Sequence, residues 1–177
     1  MWMNQQGKEV SMPAFNYKVQ FAPYIKDRSK FHTIRALRTN PAKTGDTLYH
    51  YTGMRNSRGE KAVRIIAPTP CTVACTLFFE QEDITLIDSV FTKEYVNAQH
   101  INDLISDIKI GAYRCRALSD TEKILMAWHD GFRTKEPAGI KNFEMMQQFF
   151  FRTHTPPFFI NLFSWHPQPQ FISYLNV

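Results

Sequence analysis

The hydrophobic pattern of this chain changes period part-way along, and that change restricts the fold more than any other feature. Before about residue 91, apolar residues tend to alternate with polar ones, as they do on half-buried strands. Residues 15–20, 31–37, 48–54, 72–79 and 84–91 read as strands on this basis, the run 72–79 most clearly because Val73, Cys75, Leu77 and Phe79 share one face. After that, Val96, His100, Ile101, Leu104, Ile105 and Ile108 recur at helical spacing. Ser119 followed by Glu122 has the form of a capping box, which predicts a helix to about His129 and an end at Gly131 in a left-handed turn. A third helix is expected over 140–151, stopped by Pro156-Pro157, and the segment 158–165 returns to strand. Strands first, helices clustered in the C-terminal half and a returning strand predict an α+β domain. About six strands that must hide their edges favour a small β-barrel.

One domain over 14–165 accounts for a chain of 177 residues. Residues 1–13 are expected to form a flexible arm and 166–177, with Pro167 and Pro169, an irregular tail. The segment 21–29 reads as a short helix or turn, and 39–46, punctuated by Pro41 and Gly45, as a loop. A hydrophobic content of 44% excludes a disordered chain. Three cysteines, Cys71, Cys75 and Cys115, are odd in number and match no zinc spacing, so reduced thiols are expected. The start of the chain lacks the pattern of a signal peptide and no apolar run approaches a membrane span, so the expected address is the cytoplasm. A net charge of +5 leans toward an anionic partner such as nucleic acid.

Three short motifs carry possible chemistry. Lys30-Phe31-His32-Thr33-Ile34-Arg35 puts a cation, a hydroxyl and a guanidinium within six residues, and strand alternation places Thr33 and Arg35 on one face. Thr44-Gly45-Asp46-Thr47 follows, and much later Ala127-Trp128-His129-Asp130-Gly131-Phe132 brings a carboxylate to a helix end. Together with the Phe- and Trp-rich segment 158–165, these motifs resemble the ASCH superfamily over roughly residues 15–165. The resemblance implies a PUA-like β-barrel, a choice that the strand pattern alone leaves open against an OB-like one. It also implies RNA or a modified nucleoside as ligand. The small bacterial ASCH enzymes that deacetylate N4-acetylcytidine use a Lys, a Thr and a Glu. Lys30 and Thr33 match the first two, and Asp130, one methylene shorter, stands where the Glu falls.

The resemblance makes Lys30, Thr33 and Asp130 the catalytic candidates. A hydroxyl such as that of Thr33 attacks only when a base takes its proton. Lys30 can be that base only if burial or a nearby cation such as Arg35 lowers its pKa. Asp130 would orient the amine or manage a proton at a leaving nitrogen. The plainer reading makes Thr33 an ordinary strand residue and Lys30 a solvated loop charge. Arg35 suits a phosphate or base carbonyl, or else an ion pair with Asp46 or Asp130. Tyr49 and Tyr51 could stack a base, with Arg55 and Arg58 on phosphate, or be half-buried strand residues. His129 would touch a ligand or simply suit the end of a helix. None of the six histidines forms a metal-ligand spacing, and neither metal nor cofactor is expected. Three functions remain: a binding module for RNA or a modified nucleoside, a metal-free amidohydrolase acting on an acylated nucleobase amine, and a protein-interaction module using the Phe-rich C-terminal half.

Overall fold

The computed structural model describes residues 13–54, 61–81, 83–133 and 138–167. Along them run β1 (Ala14–Tyr17), a 3-10 turn (Val19–Phe21), α1 (Ala22–Lys26), β2 (His32–Ala36), β3 (Thr47–Thr52), β4 (Val63–Arg64), β5 (Thr69–Pro70), β6 (Val73–Glu80) and β7 (Asp83–Ile87). Then come α2 (Lys93–Ala98), α3 (Ile101–Lys109), β8 (Cys115–Ala117), α4 (Asp120–His129), α5 (Ile140–Phe151) and β9 (Phe158–Ser164). The class is α+β, as the change of period implies. Two sheets form: a larger one in the order β2-β9-β6-β7-β8, and a smaller one in which β3 pairs with β1, β4 and β5. Among the described residues neither sheet closes on itself, so the pairing gives two open sheets where the pattern suggested one barrel of about six strands. The difference arises from very short strands that alternation does not reveal. β4 and β5 have two residues each and β8 has three.

Strand β9 organises the larger sheet. It lies antiparallel between β2 and β6, and all seven of its residues are buried. Alternation sends Phe158, Ile160 and Leu162 to one face, where they pack with Met126 of α4 and Phe143, Met146 and Phe150 of α5. The opposite face carries Phe159 into a cluster with Leu104 and Ile108 of α3. Phe163, also on that face, packs with Phe15, Tyr17 and Leu48 of the smaller sheet. A strand covered on both sides reads as a continuous apolar run, which is why 158–165 is so rich in Phe. Asn161 interrupts that run without cost. It accepts from Thr76 Oγ1 at 2.9 Å and donates to the Phe91 carbonyl at 2.9 Å.

Several expected elements differ in extent, and the strand expected over 84–91 ends at Ile87. The run 15–20 stays a strand only to Tyr17, because Val19–Phe21 coils into a 3-10 turn that carries the Phe21 ring toward the end of α4. The helical run around 96–108 is broken by extended backbone at Gln99 and His100. Only α3 buries residues fully, so no continuous apolar stripe holds the two pieces on one axis. Among the described residues no helix is long and apolar enough to cross a membrane.

Truncating β9 tests its central place. Leu162→Ala should lower stability by about 2–5 kcal/mol, because the surrounding layers cannot collapse onto the void. Ile110→Ala, at a side chain that is 75% exposed, should stay within about 0.5 kcal/mol of the parent chain. Urea unfolding of the two variants gives the comparison, and equal midpoints would refute the assignment.

Candidate functional site

The site begins with how α4 ends. Ser119 caps its start, accepting from the Glu122 N–H while the Glu122 carboxylate accepts from the Ser119 N–H at 2.9 Å, as the capping box predicts. At the other end, Gly131 N–H donates to Trp128 O and Phe132 N–H to Ala127 O, each at 3.0 Å. That pair of bonds is a Schellman motif, with Gly131 at φ +98° in the left-handed region. Glycine is required twice here, since a Cβ would also meet the Phe21 ring at 2.7 Å. Asp130 is thereby fixed as the C-cap, with its side chain turned against β2.

β2 is an edge strand, so one side of its backbone has no strand partner. Asp130 lies on that side, where the Ile34 backbone is among the groups that hold its carboxyl down. Lys30, held just before β2 by a bond from its N–H to Tyr24 O, donates through Nζ to Asp130 Oδ1 at 2.6 Å and to the Asp130 carbonyl. The cation thus sits at the negative end of α4 as well as on a carboxylate. Both side chains are almost fully buried, Lys30 at 2% and Asp130 at 8% exposure. Burial pushes the Lys30 ammonium down to about 8, opposed by Asp130 beside it. It also raises the Asp130 carboxyl above the usual range, opposed by Lys30. Burial thus favours the neutral form of each partner, while the charge of each holds the other ionised.

Thr33 and Arg35 face the smaller sheet, as alternation requires. Thr33 and Arg35 both act on the Tyr17 phenol, each favouring its charged form, and the Arg35 guanidinium lies 4.8 Å over its ring. Tyr17 Oη meets His50 Nδ1 at 3.2 Å, and His50 Nε2 meets Thr69 Oγ1 at 2.7 Å. Burial, then Arg35 and Lys30, push His50 down to about 4, so it is a neutral relay in this chain of hydroxyls. Burial raises Tyr17 above its ordinary value, so its proton stays in place at neutral pH. Arg35 Nε is buried and has no hydrogen-bond partner among the described residues. His32, on the opposite face, donates from Nε2 to Met126 O at 3.0 Å, which ties β2 to α4.

These groups surround a cleft of about 100 Å³ lined by Tyr17, Phe21, Lys30, Thr33, Arg35 and Asp130 among others. The structure therefore brings Lys30, Thr33, Asp130 and Arg35 together. It does not bring the rest. Tyr49 and Tyr51 alternate with the buried Leu48 and His50 and so face outward, Tyr51 bonded by Arg64 Nη2 at 3.2 Å. His129 stacks 4.3 Å from Phe31 and bonds Ser29 O at 3.0 Å through Nδ1, away from the cleft. Arg55 and Arg58 lie outside the described residues. Tyr17 and Phe21 line the cleft and His50 lies behind Tyr17, and the motifs marked none of them; only the alternation of Phe15 and Tyr17 hinted that one face of β1 was buried. Among the described residues, no group of three or more His, Cys, Asp or Glu side chains is placed to hold a metal ion.

A buried pair is costly to break on one side. Lys30→Met should cost about 3–5 kcal/mol at neutral pH, because it leaves the Asp130 charge buried alone. Combining it with Asp130→Asn should recover much of that loss, since no charge then remains. Urea denaturation of the two single variants and the double gives the coupling, and strict additivity would show that the pair acts as two separate residues.

No protein-family model, no curated protein and no solved structure matches the chain.

Proposed function

We propose that this chain is a PUA-like domain of the ASCH kind whose cleft binds a modified nucleoside, free or within RNA. The observation that carries the reading is the buried Lys30–Asp130 pair meeting Thr33 and Arg35 at the open edge of β2. Charges are kept out of water at a cleft when they have a polar ligand to orient. Lys30 and Arg35 offer donors and Asp130 an acceptor, which suits the mixed edge of a nucleobase. The space, about 100 Å³, equals roughly three waters of liquid volume. It admits the edge of a base or a small acyl group on it, while the sugar stays outside.

Hydrolysis is a second reading, favoured by one observation: an amine with a pKa of about 8 keeps a usable neutral fraction at physiological pH. In that reaction Lys30 takes the Thr33 hydroxyl proton as the oxygen attacks the acyl carbonyl. The C–N bond then breaks, Lys30 returns the proton to the leaving base amine, and water hydrolyses the threonyl ester to release acetate. Lys30 Nζ is held by Asp130 rather than by Thr33, so the amine and the hydroxyl must meet before this step. Binding is accordingly the primary reading.

Calorimetry with N4-acetylcytidine tests it. The parent chain should bind, and Thr33→Val and Lys30→Met should each weaken binding about tenfold or more, the loss of one good hydrogen bond to a charged or polar partner. Absence of binding by any nucleoside would remove the reading. If acetate is released, the rate should rise with pH as the ammonium deprotonates near 8, because only the neutral amine accepts a proton. A flat profile over roughly pH 6 to 9 would eliminate Lys30 as the base.

A further inference from the structure

The cleft does not end at the Lys30–Asp130 pair. Lys18, Phe21, Phe132 and Phe149 also border a second, larger chamber of about 360 Å³ on its outer side. That volume falls at the lower end of ordinary ligand sites, about 300–1,000 Å³. Among the described residues its lining holds three cations, Lys18, Arg133 and Arg152, and no carboxylate.

Arg133 is the unusual member. Its guanidinium is held between two rings, 4.3 Å from Tyr24 and 5.0 Å from Trp128. Its Nε donates to the Trp128 carbonyl at 3.2 Å, in the last turn of α4. Its Nη2 is buried and has no hydrogen-bond partner among the described residues. Among the described residues the one carboxylate with an electrostatic effect on it, Asp27, already accepts from the Ser29 N–H at 2.9 Å. A donor that is buried and unmatched is destabilising unless something fills it. An arginine made rigid by stacking, with donors to spare, is matched best by a phosphate oxygen. Lys18 and Arg152 are both exposed and add charge at the rim.

We infer that the outer chamber is a phosphate subsite of the same cleft, so that the ligand is a phosphorylated nucleoside, as a mononucleotide or as a unit of RNA, rather than a free nucleoside. The inference rests on the reading above, in which the base end enters the inner cleft. Base, sugar and phosphate then follow one another from Lys30 outward to Arg133.

The test compares cytidine with cytidine 5′-monophosphate, and ribose with ribose 5-phosphate, by calorimetry and by amide shifts at Gly131 and Phe132. The phosphorylated member of each pair should bind about tenfold tighter, with an affinity that falls as salt rises. Arg133→Gln should erase that advantage while leaving cytidine affinity within about twofold. Arg152→Gln and Lys18→Gln, at exposed positions that do not threaten folding, should each reduce it. Equal binding of phosphorylated and unphosphorylated probes would overturn the subsite, as would an advantage that survives all three substitutions. If ribose 5-phosphate binds but no nucleoside does, the phosphate subsite stands and the nucleoside reading falls. If nucleosides bind with no phosphate effect, the reverse holds. A short RNA that outcompetes the mononucleotide assigns the subsite to a phosphodiester, and the opposite order assigns it to a monoester; either order upholds the subsite.

Discussion

A lysine and an aspartate, both removed from water, hold the cleft in its shape. Lys30 precedes the edge strand β2 and Asp130 ends α4, a hundred residues apart in sequence, and their bond fixes helix to sheet. The pair does not stand alone. The ammonium also bonds the Asp130 carbonyl, the Ile34 backbone helps to hold the carboxyl down, and the helix end is closed by its own backbone. A buried ion pair with these extra bonds is strongly oriented even where its net contribution to stability is small. Orientation is what a binding cleft needs, because it sets the positions of donor and acceptor before a ligand arrives.

Behind the pair, the two sheets supply a second polar layer. Tyr17 reaches from β1 to Thr33 and Arg35 on β2 and to His50 on β3. Trp165, just after β9, covers His50 at 4.5 Å. The cleft is therefore walled by β1 and β2, and His50 of β3 lies behind Tyr17. Its outer side is formed by different elements, the 3-10 turn, α1 and α5, which bring the aromatic and cationic residues of the larger chamber. Asn142 links these parts. It is fully buried, accepts from the Gly139 N–H at 2.7 Å and donates to the Phe132 carbonyl at 2.7 Å, fastening α5 to the turn after α4.

Local signals were readable wherever the cause was local. The Ser119–Glu122 box, the stop at Gly131, the helix Ile140–Phe151 and the strand Phe158–Ser164 all rest on spacing within a few residues, and each appears as expected. The convergence of Lys30, Thr33, Arg35 and Asp130 was legible only through motif resemblance, since nothing local links residue 30 to residue 130. The parts that escaped have causes that lie elsewhere in the chain. β8 exists because β7 offers it a pairing partner, and three residues are too few to show alternation. Tyr17 and His50 matter because two sheets meet over them, which neither strand reveals alone. Tyr49 and Tyr51 looked suitable for stacking a base, but the inward face of β3 belongs to Leu48 and His50. Arg133 was passed over because its setting depends on rings from α1 and α4.

The contact between Asp130 and Ile34 has a consequence for association between molecules. A sheet edge with unpaired amides is a template on which another strand can add, and such edges lead to aggregation. The larger sheet has two edges: β8, three residues long, and β2, five residues long. β8 is blunted by its shortness. β2 would present the longer template, but Asp130 at the end of α4 lies beside the Ile34 backbone in its middle, and His32 ties the strand to α4. The carboxylate that holds Lys30 also guards the sheet against its own copies, so a substitution there would be felt in solubility as well as in stability.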